Sequence, residues 1–187
     1  MSRLLIATVF LLSTYLYFPL NKRKAKYYWI SPFEKYIPII SVFVVFYLIH
    51  LIMIPLAFLL LWNSAWFYPF LTSFIIANIT ASLFWYLFPN GVKRPKLEKN
   101  KFFDRVLAIL YSKDKYDTNG FPSGHVFGSV IYSYYLALAF PALAPLFVTL
   151  GLLVSLSTLL IKQHYIIDFV GGGVWAFLSI YFVEHYF

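Results

Sequence analysis

Between Lys35 and Lys93 the chain carries no Lys, Arg, Asp or Glu. A soluble fold cannot solvate the surface of so long an uncharged stretch, and the rest of the sequence follows the same pattern. Only 12% of the 187 residues are charged, against 61% hydrophobic and 22% aromatic, where soluble domains average about a quarter charged. Disordered, fibrous, coiled-coil and nucleic-acid-binding folds are excluded, because the uncharged segments are long and continuous. The absence of cysteine removes disulfides and thiolate metal sites from consideration. What remains is an all-α integral membrane protein.

A helix crosses the hydrocarbon core with about 20 mostly apolar residues. Six such spans are expected, at about Leu4 to Leu20, Ile39 to Trp62, Trp66 to Phe88, Pro122 to Phe140, Ala142 to Ile161 and Tyr165 to Val183. The first reads as a retained helix and not as a signal peptide, since its charges (Lys22 to Lys26) follow the apolar run and no small-residue cleavage site is evident. Tyr27 to Pro38 is aromatic and mildly charged, as an interfacial segment is. Within the polar stretch Pro89 to Phe121, apolar residues recur at helical spacing at Phe102, Phe103, Val106, Leu107 and Leu110. They predict a short amphipathic helix on the membrane surface. No internal repeat divides the chain, so residues 1–187 read as one transmembrane domain.

Six spans put the loops on two sides, and 14 of the 15 Lys and Arg fall on one of them. The positive-inside rule assigns that side to the cytoplasm. The same side holds three polar clusters: Lys93-Arg94-Pro95, Pro122-Ser123-Gly124-His125, and Lys162-Gln163-His164 through Asp168. Polar groups at membrane depth are costly and mark function.

His164 and Asp168 are four apart at a helix start and share one face. A carboxylate on one imidazole nitrogen fixes the tautomer and makes the other a better nucleophile or base. His125 follows Pro122, and proline favours the first helical position. The free N–H groups of Ser123 and Gly124 then form an anion site at the positive end of the helix. Arg94 stands in a loop with Lys93, Lys96, Lys99 and Lys101, and its guanidinium suits bidentate phosphate binding. Two His and one Asp also suit zinc, but the abundance of cations and lack of further carboxylates favour phosphoryl transfer with no metal and no cofactor. One histidine attacks phosphorus and the other protonates the leaving oxygen. His50, mid-span, reads as a packed residue bonded to a neighbouring helix, and Gly171-Gly172-Gly173 as a close-packing stripe.

The order Arg94-Pro95, Pro-Ser-Gly-His, then His164-x-x-x-Asp168 resembles the type 2 phosphatidic acid phosphatase (PAP2) superfamily. Its motifs can be written K-x6-R-P, P-S-G-H and S-R-x5-H-x3-D, set on six membrane helices. The resemblance spans about residues 88–173. It implies His164 as nucleophile, Asp168 as its orienting partner and His125 as general acid, with Arg94, Ser123 and Gly124 binding phosphate. It also implies a site facing away from the cytoplasm, against the charge count.

Two family positions differ: Leu87 stands where the first-motif lysine falls, and Thr158 where the third-motif arginine falls. Lys93 is the expected replacement for the first, with Lys96 as its alternative, and Lys162 for the second. The expected function is a multi-pass cell-membrane phosphatase acting on a lipid phosphate: phosphatidic acid, phosphatidylglycerophosphate or a polyprenyl pyrophosphate. It works through a phosphohistidine, with the amphipathic helix lining the lipid's lateral entrance. Its partners are the lipid substrate and the bilayer, with no nucleic acid and no obligatory protein partner. Two alternatives stand beside it. One is a head-group phosphotransferase similar to inositol phosphorylceramide synthases; the other is a lipid-binding or transport protein on the same scaffold without turnover.

Overall fold

The structure is a computed structural model that describes residues 2–98, 101–114, 116 and 118–187. Lys99, counted above among the loop cations, lies outside the described residues. Regular structure among these residues is helical, apart from two isolated bridges that pair Tyr27 with Asn90 and Gly91 with Thr118.

Eight α-helices follow one another. The first apolar run is α1 (Arg3–Tyr15) and the short α2 (Tyr17–Asn21). They are separated at Leu16 because Pro19 has no N–H to offer the Tyr15 carbonyl and its ring crowds that oxygen. Then come α3 (Val44–Leu61), α4 (Phe67–Leu87), the amphipathic α5 (Phe102–Lys113), α6 (Gly124–Ala139), α7 (Ala144–Leu160) and α8 (Ile166–Tyr186). Among the described residues, five runs are long and apolar enough to cross a membrane: Arg3–Asn21, Ser41–Leu61, Phe67–Leu87, Pro141–Leu160 and Ile166–Tyr186. The chain is therefore a multi-pass membrane protein. The fourth expected span, Pro122 to Phe140, is the exception. As a helix it is only the 16 residues of α6, about 24 Å at 1.5 Å per residue, short of the ~30 Å hydrocarbon thickness.

That short helix is the centre of the bundle. It packs against α3, α4, α7 and α8, and its buried residues run almost all round it, from Val126 and Phe127 to Tyr135 and Leu136. An all-round apolar surface is what a helix with neighbours on every side requires. Lipid is as apolar as leucine, so close contact and hydrogen bonds, not exclusion of water, hold such helices together. At the α6–α7 seam the hydroxyls of Ser129 and Ser155 are 2.7 Å apart, and a Cβ on Gly151 would stand 2.1 Å from Ser133 Oγ.

At one end of the bundle gather the last residues of α2, α4 and α7 and the first of α3, α6 and α8. The helix predicted on the membrane surface is indeed α5, with Phe102 and Ile109 outward. Its Leu107 is fully buried in a small second core with Val44, Tyr47 and Ile161. Tyr111 donates its hydroxyl to the Ile161 carbonyl at 2.6 Å. The helix is thus a cover pinned over the start of α3 and the end of α7.

The triple glycine of α8 divides by what its members meet. A Cβ on Gly171 would come within 2.2 Å of the Phe121 ring, and one on Gly172 within 2.7 Å of Val126 Cβ and 2.8 Å of the Ser123 carbonyl oxygen. A Cβ on Gly173 would meet nothing within 4 Å. Gly172→Ala is therefore expected to push α6 away from α8 and lower the thermal midpoint in detergent. Gly173→Ala should leave it unchanged or raise it, by up to about 1 kcal/mol of helix propensity.

Candidate active site

The site is assembled at the α6–α8 junction. Ser123 donates its amide to the Asp168 carbonyl at 3.1 Å, while its hydroxyl accepts from Val126 N at 3.3 Å and so caps α6. This corrects one expectation: the Ser123 N–H does not face a ligand, and Ser123 is fully buried. The amides of Gly124 and His125, the first two residues of α6, remain beside the pocket. Entry into α6 is fixed by Asn90, which is 2% exposed. Its Nδ2 donates to the carbonyls of Phe88 and Phe121, and its Oδ1 accepts from Phe121 N at 2.5 Å.

Asp168, 2% exposed, accepts from Tyr165 N at 2.9 Å through Oδ2, capping the helix it belongs to. The same oxygen lies 3.5 Å from His164 Nδ1. This i,i+4 pairing is the one the sequence predicted, held at the positive end of α8 where a carboxylate is stabilised. His164 precedes α8 because Lys162 turns the chain. Lys162 adopts φ 53°, in the left-handed region, and the amides of Gln163 and His164 both donate to the Thr158 carbonyl. This is a left-handed helix stop with lysine where glycine is usual.

His125 and His164 face each other, ring centroids 6.2 Å apart. On its other sides the His125 ring is stacked on Tyr47 at 4.1 Å and lies against His50 at 4.5 Å. His50 is thus not bonded to a neighbouring helix, as the sequence suggested. Its Nδ1 is buried without a partner, and its ring packs on that of His125. The two histidines share a small cavity, about 20 Å³, with Gly124, Arg94, Asp114, Gln163, Tyr17 and Tyr47 among its walls. That volume is about one water molecule.

Arg94 reaches this cavity and is held there by Asp114. Its Nη2 pairs with Asp114 Oδ2 at 2.5 Å, its Nη1 donates to the Asp114 carbonyl, and its guanidinium lies 5.3 Å over the Tyr111 ring. Burial pushes the Tyr111 hydroxyl up to about 12, with Arg94 pulling the other way. The Arg94 Nε is buried and unpartnered, and so is Nε2 of Gln163 in the same wall. Gln163 was named in the sequence only as part of a cluster, and Asp114 not at all.

The two lysines expected to replace the missing motif residues are elsewhere. Lys93 Nζ lies 5.0 Å over the Tyr28 ring, and its amide donates to Tyr165 Oη. Lys162 Nζ donates to the Glu34 carbonyl at 3.1 Å, while Glu34 Oε1 accepts from Ile166 N at 2.7 Å. Burial lowers the Lys162 ammonium below its usual range, opposed by Glu34. Neither lysine lines the cavity. Leu87 is exposed and Thr158 fully buried.

The bundle is that of a multi-pass helical membrane protein, and the family match supports the phosphatase-type phosphoesterase class. The family model of the PAP2 superfamily matches residues 69–187, from the first turn of α4 to the end of α8, and the chain belongs to that superfamily. No curated protein and no solved structure matches it.

If Lys162 serves the turn and not a ligand, Lys162→Gly keeps the backbone and loses only the Glu34 contact. Phosphate release by this variant is expected within about twofold of the unaltered protein. The thermal midpoint should not fall, since glycine removes a left-handed penalty of roughly 1 kcal/mol; a loss of more than tenfold in rate would make Lys162 a ligand after all.

Proposed function

We propose that the chain is a lipid phosphate phosphatase working through a phosphohistidine. The observation that carries this reading is the His164–Asp168 pair at 3.5 Å facing His125 across a cavity walled by Arg94. With Nδ1 turned to Asp168, His164 presents Nε2 as nucleophile. Nε2 attacks phosphorus, the P–O bond to the lipid breaks, and His125 gives its proton to the departing alkoxide. Asp168 stabilises the positive imidazole formed. Water then attacks the phosphohistidine, His125 takes its proton, and inorganic phosphate leaves with His164 restored.

Charge on the equatorial oxygens is met by Arg94 Nε, the Gln163 amide and the Gly124 and His125 amides. Gly124 admits a phosphate close to the backbone. Tyr47 and His50 hold the His125 ring between them, so that its nitrogens keep one direction. The phosphate ligands in this reading include Gln163, and leave Ser123, Lys93 and Lys162 to structural roles.

The test is phosphate release by the full chain in detergent, with chelator present, over phosphatidic acid, phosphatidylglycerophosphate and a polyprenyl pyrophosphate. Release is expected to survive chelator and to fall to background in His164→Ala. His125→Ala should lose ~10²–10⁴-fold, the usual contribution of a positioned acid. Release retained in His164→Ala would mean that another group is the nucleophile.

A further inference from the structure

The small pocket has two sides, and a phosphate anion can use only one of them. On the first side Tyr17, Gly124 and His125 are also walls of a larger cavity, about 240 Å³, which continues the pocket into the bundle. Apolar side chains such as Phe10, Ile54, Phe74 and Phe127 line much of it. Phe18 and Leu51 stand in its wall while 56% and 63% exposed, so it opens toward lipid. Inorganic phosphate, as a free anion, does not leave by that route. On the second side Asp114, Thr118 and Asn119 close the pocket. The Asp114 side chain is 25% exposed and that of Arg94 behind it 14%, so this is the wall nearest to solvent.

Asp114 closes that wall by holding the group a phosphate needs. A guanidinium clamps a phosphate through two neighbouring N–H groups, either Nη1 with Nη2 or Nε with Nη2. Asp114 takes the first edge, with Oδ2 on Nη2 at 2.5 Å and its carbonyl on Nη1. The second edge is half taken, because Nη2 also donates to the Tyr116 carbonyl at 3.4 Å. Only Nε is left without a partner. The space beside it is about 20 Å³, room for about one water molecule, and a phosphate does not fit. Access for phosphate therefore requires a wall to move.

The movable part is the carboxylate, not the helix that carries it. Helix α5 is pinned by Leu107, by Tyr111 and by Asp104, whose Oδ1 accepts from Ser41 Oγ at 2.5 Å. Asp114 lies past these anchors, at the C-terminal cap, where the helix dipole disfavours a negative charge. What keeps the carboxylate there is Arg94, with Asn21 Nδ2 donating to its second oxygen at 3.3 Å.

On the phosphatase reading of this site, we propose that Asp114 is an autoinhibitory latch: its carboxylate occupies Arg94 in place of a phosphate and shuts the solvent side of the pocket. An incoming phosphate displaces it from Nη2 and completes the clamp of Nε with Nη2. When inorganic phosphate is the product, Asp114 takes Arg94 back and the anion departs past it, since the lipid-facing cavity gives it no exit.

The test is binding of inorganic phosphate to the full chain in detergent, read from the rise of the thermal midpoint with phosphate concentration. Asp114→Asn keeps the shape and removes the charge. It is expected to bind phosphate about tenfold more tightly than the unaltered protein, the factor that one charge-assisted hydrogen bond supplies. The gain should vanish when Arg94→Ala is added. Unchanged or weaker binding in Asp114→Asn overturns the latch and leaves Asp114 as a group that orients Arg94. A second readout needs no variant. In the unaltered protein phosphate should speed hydrogen exchange of the amides in the last turn of α5, Tyr111 to Asp114, while slowing it at Gly124 and His125; slowing at both places overturns the latch as well. Binding needs no turnover, so the latch and the phosphatase reading fail separately. Tighter binding in Asp114→Asn, with no release from any lipid phosphate, removes the phosphatase and leaves the latch. Phosphate bound by neither protein removes the latch, whatever the rate of release.

Discussion

The amide of Ser123 donates to the carbonyl of Asp168, and most of the site depends on that one backbone bond. It ties the N-terminus of α6 to the first turn of α8, and so sets His125 opposite His164. Asp168 does three things from one position: its carbonyl holds α6, its carboxylate caps α8, and the same oxygen stands beside His164 Nδ1. Gly172, one turn further along α8, lets α6 come close enough for the bond to form, and Gly171 leaves room for the Phe121 ring. Asn90 delivers the chain to Ser123 from the opposite direction. The helix contact and the site are thus one construction, and a change that parts the helices also parts the histidines.

Buried polar groups in this bundle sort by whether they are satisfied. Ser129 with Ser155, Asn78 with Ser13 and Thr14, and Tyr135 with Ser73 and Glu184 are paired across helices. Such pairs hold helices together where lipid gives no hydrophobic drive between them. The unpaired ones are not scattered. Arg94 Nε and Gln163 Nε2 gather at the small cavity, and His50 Nδ1, Ser82 Oγ and Trp85 Nε1 at the larger, while His164 Nδ1 stands 3.5 Å from the Asp168 carboxylate. Tyr132 and Ser133 fall outside both groups. An unsatisfied buried donor costs roughly 1–3 kcal/mol. Its concentration beside two connected cavities is what a site built for a ligand with oxygen acceptors looks like.

What the sequence made legible was local or periodic. The apolar runs gave five helices with their order, and the amphipathic repeat gave α5. His164 and Asp168 were readable because an i,i+4 pair meets by helix geometry alone. The rest depends on how distant segments fold together. Asp114 meets Arg94 only because the α5 segment folds back over the pocket, and His50 reaches His125 only because α3 packs on α6. Lys162 misled because a cation two residues from the histidine proposed as nucleophile looks like a ligand, whereas its backbone is what the fold uses. The amide of Ser123 misled for the reverse reason: helix geometry leaves it free, and a neighbouring helix takes it. The fourth expected span came out longer than α6 because Pro122, Ser123 and Phe140 extend the apolar run without joining the helix.

The two missing family cations bear on what the pocket holds. At position 158 the fold needs the backbone carbonyl, which receives two amides from the turn before α8, and any side chain there is buried. At position 87 the side chain faces outward. Among the described residues that line the small cavity, the one permanent cation is Arg94, and Asp114 already shares its charge. The α6 N-terminus adds about half a unit charge. Such a setting compensates the terminal phosphate of a monoester better than a pyrophosphate, whose added charge would meet no second guanidinium or ammonium.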